Sequence, residues 1–199
     1  MYGDDGAAKS KRGWDMISRF EAAEYEIIPT ETFKIMRNCS GCGSKAVYFN
    51  TNKIRVNANG KQVDVWLIYQ CTKCKHTYNL PIYSRINKTR LNKAEYEALL
   101  QNDQDIVFQY GLDRVIFQKN NAVILEEPAY VLKDTGKDAQ GDVIRFRNPY
   151  RLRIRYDRLI ADCLKISRSE AKRFLENGVL VVDQTSENEV IFQYTPIRS

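Results

Sequence analysis

No stretch of this 199-residue chain approaches the roughly 18 consecutive apolar residues that a membrane-spanning helix needs. Its longest apolar runs, such as Val65-Trp-Leu-Ile-Tyr69, have the length of buried strands. The N-terminus lacks the apolar core and small-residue cleavage site of a secretory leader, so a cytoplasmic protein with no membrane partner is expected. Histidine is nearly missing, with His76 the only one, so a His-based triad would have to use that residue. Also missing are a Gly-x4-Gly-Lys-Ser/Thr loop, a Gly-x-Ser-x-Gly elbow, a His-Glu-x-x-His pair and a Rossmann glycine pattern. Glu126-Glu127, just before Pro128, reads as a solvated turn rather than an acid/base pair. The expectation is a protein with no catalytic residues, with an enzyme of unknown class as the less favoured alternative.

The cysteines that are present form a pattern. Of five, four fall into two Cys-x-x-Cys pairs, Cys39/Cys42 and Cys71/Cys74, separated by the 28 residues from Gly43 to Gln70. An odd total in a reducing compartment favours metal over disulfides. Zinc prefers four thiolates in a tetrahedron, and each Cys-x-x-Cys turn presents two of them. The 28-residue interval leaves room for a three-stranded excursion, the layout of a zinc ribbon. Gly43 suits the knuckle, and Lys34, Arg37, Lys45, Lys73 and Lys75 lie close enough in sequence to offset the negative charge of the thiolates. A complete four-sulfur set leaves His76 no ligand role and leaves no open position for chemistry. An iron site, or a redox pair of the thioredoxin kind, remains the alternative reading; the latter would need only one pair, at the start of a helix.

Charge is also unevenly placed. The formal net charge is +6, yet residues 145–173 hold ten basic residues against three acidic ones, a local +7, so the rest of the chain sums to about −1. Such asymmetry points to a polyanionic partner. RNA is the first candidate and an acidic protein, docked by an adaptor, the second.

Periodicity supplies an α+β organisation. Residues 1–24 have no clean period and read as a disordered extension, with a short helix available around Trp14 to Ala23. A small zinc-ribbon-like β domain is expected over 25–90, with strands at 45–50, 53–58, 62–70 and a return from His76 to Ile82. Val63, Val65, Leu67 and Tyr69 alternate with Asp64, Trp66, Ile68 and Gln70, and Asn59-Gly60 supplies a hairpin turn. Tyr48, Phe49, Trp66, Tyr69, Tyr78 and Tyr83 read as cover for a thin core rather than as base-stacking platforms. A helical and β connecting segment spans 91–148. Asn92 and Asp103 cap two helices there, the first with Tyr96, Leu99 and Leu100 on one face, the second with Ile106, Val107 and Tyr110; short strands follow at 122–125, 129–133 and 143–147 around a turn at 137–142. A final α/β module covers 149–199. It contains a helix at 158–164 with Cys163 on its apolar face and the capping box Ser167-Arg-Ser-Glu170. The second helix buries Ala171, Phe174 and Leu175 and stops at Gly178, and strands follow at 179–182 and 190–194.

The segments Arg155-Tyr-Asp-Arg-Leu-Ile-Ala161 and Ile166-Ser-Arg-Ser-Glu-Ala-Lys-Arg-Phe-Leu-Glu-Asn-Gly-Val179 resemble the S4 RNA-binding domain. Ser167, Arg168, Ala171, Leu175, Gly178 and Val179 match its pattern. The likeness implies an S4-like module that binds structured RNA. The capped helix sets Arg168 at its first turn with Lys172 one turn on, and Arg158, Lys165 and Arg173 extend the patch, so these five are the expected contacts, with a solvated basic helix face as the alternative. It departs after Val182, and Gly141-Asp-Val-Ile144, similar to the expected closing strand, lies before the helices instead. Over about residues 25–199, Tyr25-Glu-Ile-Ile-Pro29, the Cys39 knuckle, Asp64-Val-Trp-Leu-Ile-Tyr-Gln-Cys71, Ser84-Arg-Ile-Asn87 and the Ser167-Arg pair occur in an order that resembles an uncharacterised bacterial family, domain of unknown function 1062. That resemblance implies the same layout and a bacterial source, and no activity.

Overall fold

The two-residue alternation read in the sequence becomes strand β4, Gln62–Cys71, whose Val63, Val65, Leu67, Tyr69 and Cys71 are all buried while the intervening residues are half-exposed. The structure is a computed structural model and describes residues 22–136 and 142–195. Most of the expected N-terminal extension and its short helix, and nearly all of the turn at 137–142, lie outside the described residues. The fold is mixed α+β, dominated by strands, with five α-helices among the described residues. No helix among them is long and apolar enough to cross a membrane.

Around β4 a sheet of five strands forms, in the order β5-β4-β3-β2-β6. Its members are β2 (Ile35–Cys39), β3 (Ser44–Asn59), β5 (Thr77–Asn87) and β6 (Val123–Ile124). The two strands expected at 45–50 and 53–58 are one, β3, whose pairing with β4 is interrupted between Asn50 and Ile54. Asn59 faces Gln62 across the hairpin, and Gly60 takes the positive φ of 60° that such a two-residue turn demands. Three helices follow: α1 (Lys93–Gln101), α2 (Gln104–Gly111) and α3 (Arg114–Lys119). Asn92 and Asp103 cap the first two with side-chain oxygens on backbone amides, as their sequence positions predict. Asp113 caps α3, a helix too short to register as a period. Helices α1 and α2 pack on β3, and α2 also on β4. Leu99 is buried, but Leu100, expected on the same face, is 56% exposed, because one step along a helix turns the side chain by about 100°. Phe33 and Tyr69 both meet Phe117 of α3 edge-to-face, at 5.5 Å and 6.3 Å between ring centroids.

The remaining elements form a second sheet, β7-β1-β8-β10-β9, built from β1 (Ala23–Pro29), β7 (Tyr130–Asp134), β8 (Val143–Arg147), β9 (Leu180–Thr185) and β10 (Glu189–Tyr194). Strands β1 and β8 pair in parallel; β10 runs antiparallel to β8 and β9. Helices α4 (Tyr156–Leu164) and α5 (Arg168–Glu176) pack on each other, and α5 on β9. Leu159, Ile160, Ala171 and Phe174 are their buried face.

The packing divides the chain differently from the three successive segments expected at 25–90, 91–148 and 149–199. Pro29–Ala129 is one compact unit, and the flanking residues form the other. Strand pairing is the reason. Residues 23 and 24, assigned to a disordered tail by composition, are in β1 and pair with Ile144 and Arg145, some 120 residues later. The helices of the supposed connecting segment complete the core under β3 and β4. At the neck of the inserted unit, the Thr30 amide and hydroxyl both donate to the Ala129 carbonyl, at 2.9 Å and 3.1 Å.

Candidate metal centre and basic helix pair

Each cysteine pair occupies a turn at a strand end. Cys39 closes β2 and Cys42 precedes β3; Cys71 closes β4 and Cys74 lies in the turn before β5. Because β3 and β4 are neighbours, with Tyr48 opposite Cys71, the two turns are carried to the same end of the sheet. All four sulfurs lie within 4.8 Å of one another. Cys39 Sγ is 3.4 Å from Cys74 Sγ and Cys42 Sγ 3.8 Å from Cys71 Sγ. A tetrahedral Zn–S₄ centre has sulfurs about 3.8 Å apart, so the spacing fits a metal ion at the middle.

Backbone amides hold the second turn in place: Cys71 N donates to His76 O at 2.9 Å, Lys75 N to Cys71 O at 3.1 Å, and Thr72 N to Val47 O on β3 at 2.9 Å. Cys39 and Cys71 are buried, Cys42 is half-buried and Cys74 exposed. A hydrogen bond from the Tyr48 hydroxyl lowers the Cys39 thiol to about 6, against the opposing effect of burial. Cys71 is also lowered, first by the Cys74 amide. Cys42 is pushed up to about 12 by hydrogen bonding with Cys74 and by burial. His76 stands outside the sulfur set and shares a 3.0 Å hydrogen bond with Ser40 Oγ.

Two neighbours of the cysteines escaped the sequence reading. A Cβ on Gly41 would come within 2.9 Å of Cys74 Sγ, so the second of the two residues between Cys39 and Cys42 must be bare for the second turn to close over it. Its only sequence signal is its place inside the Cys-x-x-Cys unit. Tyr48 was assigned to core packing; it is buried, and it also serves Cys39. Arg37 lies 3.2 Å from the Tyr78 ring centroid and 5.8 Å from that of Tyr48, so a cation rests on the ring that serves Cys39 and on its neighbour.

The other unit carries the basic segment. Ser167 caps α5 by accepting from Glu170 N at 3.2 Å, as its position predicts. Ahead of it, Asp157 is buried in the first turn of α4 and takes two arginines. Arg155 meets it with Nε at 3.0 Å and Nη2 at 3.2 Å, and Arg168 Nη2 reaches it at 3.0 Å. Burial alone would raise the Asp157 carboxyl, but the hydrogen bonds from Arg168 and Arg155 outweigh it and the group is lowered. Arg158 pairs with Asp162, at 3.8 Å, and Lys172 with Glu176, at 3.3 Å. Lys165 and Arg173 form no ion pair among the described residues and are exposed.

Tertiary structure also changes the charge count. Glu24 of β1 is buried and binds Arg147 at 3.1 Å and Arg145 at 3.7 Å; Glu189 takes Arg145 and Glu187 takes Arg151. The local +7 read from residues 145–173 is therefore partly neutralised by acids from outside that run. Over residues 155–176, the two helices and their flanks, six basic residues stand against four acidic ones, leaving +2.

A family model described as "Protein of unknown function (DUF1062)" matches residues 56–186, well over half of the chain. The chain belongs to this family. The DUF1062 match takes in Cys71, Cys74, Asp157 and both helices of the basic pair, and begins after Cys39 and Cys42. No curated protein and no solved structure matches the chain.

Proposed function

We propose that this is a non-catalytic, zinc-containing cytoplasmic protein that binds structured RNA through an S4-like helix pair, with zinc stabilising a zinc-ribbon-like unit. The observation that carries the reading is the Arg155–Asp157–Arg168 cluster. One buried carboxylate orders two guanidiniums whose side chains are 73% and 55% exposed, leaving a net positive charge and outward donors in fixed positions. Arginine forks match phosphate oxygens, and arginines that are already ordered lose less freedom on binding.

Arg158, Lys165, Lys172 and Arg173 extend the cationic surface along the same two helices. The pairs that Arg158 and Lys172 make with Asp162 and Glu176 are exposed and weak enough to give way to a phosphate. Contacts of this kind read backbone charge and helix shape more than sequence. Strand β8, which precedes the helices in sequence, pairs antiparallel with β10, and this supports reading it as the strand the S4-like pattern lacks after Val182.

Zinc is favoured by the all-sulfur donor set and its spacing. Four cysteines leave no position for water or substrate, which supports a structural role. Uncrosslinked thiols in this arrangement suit a reducing compartment.

The test is RNA cross-linking in cells, followed by salt titration of the recovered RNA against the purified chain and its Arg155→Gln/Arg168→Gln variant. The expected result is loss of at least about tenfold in affinity, and a salt slope smaller by about 2. RNA at background, with nuclease-resistant recovery of acidic proteins instead, would replace this reading by the adaptor.

A further inference from the structure

At the end of β4 opposite Cys71, the sheet carries a cavity of about 630 Å³, a size common for small-molecule sites. Four cations line it: Lys61, Arg85, Arg90 and Lys119. No carboxylate does, and none of the four forms an ion pair among the described residues. Like charges gathered with no carboxylate in the lining repel one another, and an anion in the cavity would reduce that repulsion. We propose that this cavity binds a small oligophosphate, either free or as the phosphate chain of a nucleotide.

The backbone around the cavity is shaped for the purpose. Tyr83 faces Val65 and Ile86 faces Val63, so Ser84 and Arg85 together oppose Asp64 alone, which is a β-bulge. Arg85 takes a φ of 48° there, a left-handed conformation that favours glycine, and its amide donates to Asp64 Oδ1 at 2.8 Å. A bulge re-aims side chains, and the arginine occupies the strained position itself. The backbone at Lys61 and Arg90 is fixed by neighbouring turns. Lys88 N donates to Lys61 O at 2.8 Å, and Asn87 Oδ1 accepts from Thr89 N at 3.1 Å, which sets the short helical turn Lys88–Arg90. Two acids lie in this region: Asp64, whose Oδ1 accepts from the Arg85 amide, and Glu95, which is engaged by the Tyr83 hydroxyl at 2.8 Å and by the Tyr110 hydroxyl; neither forms an ion pair with the four cations among the described residues.

This site is separate from the basic helix pair and does not depend on that reading. The test is calorimetric titration of the full, metal-loaded chain with inorganic triphosphate, with adenosine and its mono-, di- and triphosphates, and with a single-stranded RNA oligomer. Affinity should rise with the number of phosphates. Arg85→Gly removes a cation while relieving its backbone strain, so it should fold normally and weaken triphosphate at least about tenfold. Arg90→Gln/Lys119→Gln should do the same, and Arg155→Gln/Arg168→Gln should leave it unchanged. Equal binding of inorganic triphosphate and adenosine triphosphate would identify the phosphate chain as the recognised group; tighter binding of the nucleotide would add its base. Absence of saturable triphosphate binding would overturn the proposal. So would binding unaffected by Arg85→Gly, or binding lost in the Arg155→Gln/Arg168→Gln variant, or RNA binding that needs Arg85 while triphosphate does not bind.

Discussion

Arg168 Nη2 donates to the buried carboxylate of Asp157 at 3.0 Å, joining the first turn of α5 to the first turn of α4. Arg155 meets the same carboxylate from the other flank. Removing the acid would leave two cations facing each other with no shared partner.

Asp157→Asn should therefore lower stability by about 1–2 kcal/mol, the value expected when a buried acid has partly exposed partners. Urea denaturation of the two proteins at neutral pH would measure it. The pH dependence has a definite sign. The Asp157 carboxyl is lowered below its ordinary 3.8, so its contribution is complete above that value and is lost as pH falls through the lower folded value. The stability gap between wild type and variant should be constant from neutral pH down to the ordinary carboxylate range, then close on further acidification. A gap that closes well above that range would contradict the assignment.

Gly41→Ala places a methyl group 2.9 Å from Cys74 Sγ, closer than carbon and sulfur can approach. Either Cys74 or the first turn must shift. The variant should fold yet release metal more readily to a chromogenic chelator, by at least about tenfold, the scale seen when the surroundings of a metal ligand are disturbed. Unchanged metal retention would mean that the turns take up the methyl group without disturbing the sulfur set.

Tyr48→Phe removes the hydroxyl that donates to Cys39 and holds its thiol near 6. Metal affinity at pH 7, from competition with a chelator, should fall by about tenfold while the far-ultraviolet circular dichroism is preserved. For wild type and variant alike, affinity should fall as pH decreases, since protons compete for the thiolates.

Tyr69→Phe tests the sheet–helix core. The Tyr69 hydroxyl donates to Phe33 O at 3.0 Å in a buried position. Its loss strands a carbonyl and should cost about 1–2 kcal/mol by urea denaturation. A change near zero would show that water reaches Phe33 O.

The elements most legible in the sequence were those governed by local chemistry. Asn92, Asp103 and Ser167 cap helices where their side chains and the following residues predict, since capping involves amides only two or three positions away. The alternation of β4 was equally clear. Helix α3 was not read, because six residues carry too little period to stand out. The place of β1 was hidden for a different reason. Its partner strand β8 lies beyond an inserted unit of about a hundred residues, and nothing within Ala23–Pro29 encodes that distance.

By itself the sequence determined the two Cys-x-x-Cys pairs, the caps, and the concentration of arginine near α4 and α5, because each is a matter of residue type and short spacing. Tertiary structure alone decided that Gly41 lies under Cys74, that Glu24 neutralises Arg145 and Arg147, and that Arg155 and Arg168 share Asp157. It also brought Lys61, Arg85, Arg90 and Lys119 to one cavity from a turn, a bulge, a short helical turn and a helix. Contacts across strands and between helices depend on register and packing, and the energies that set them are summed over the whole core rather than written in any one segment.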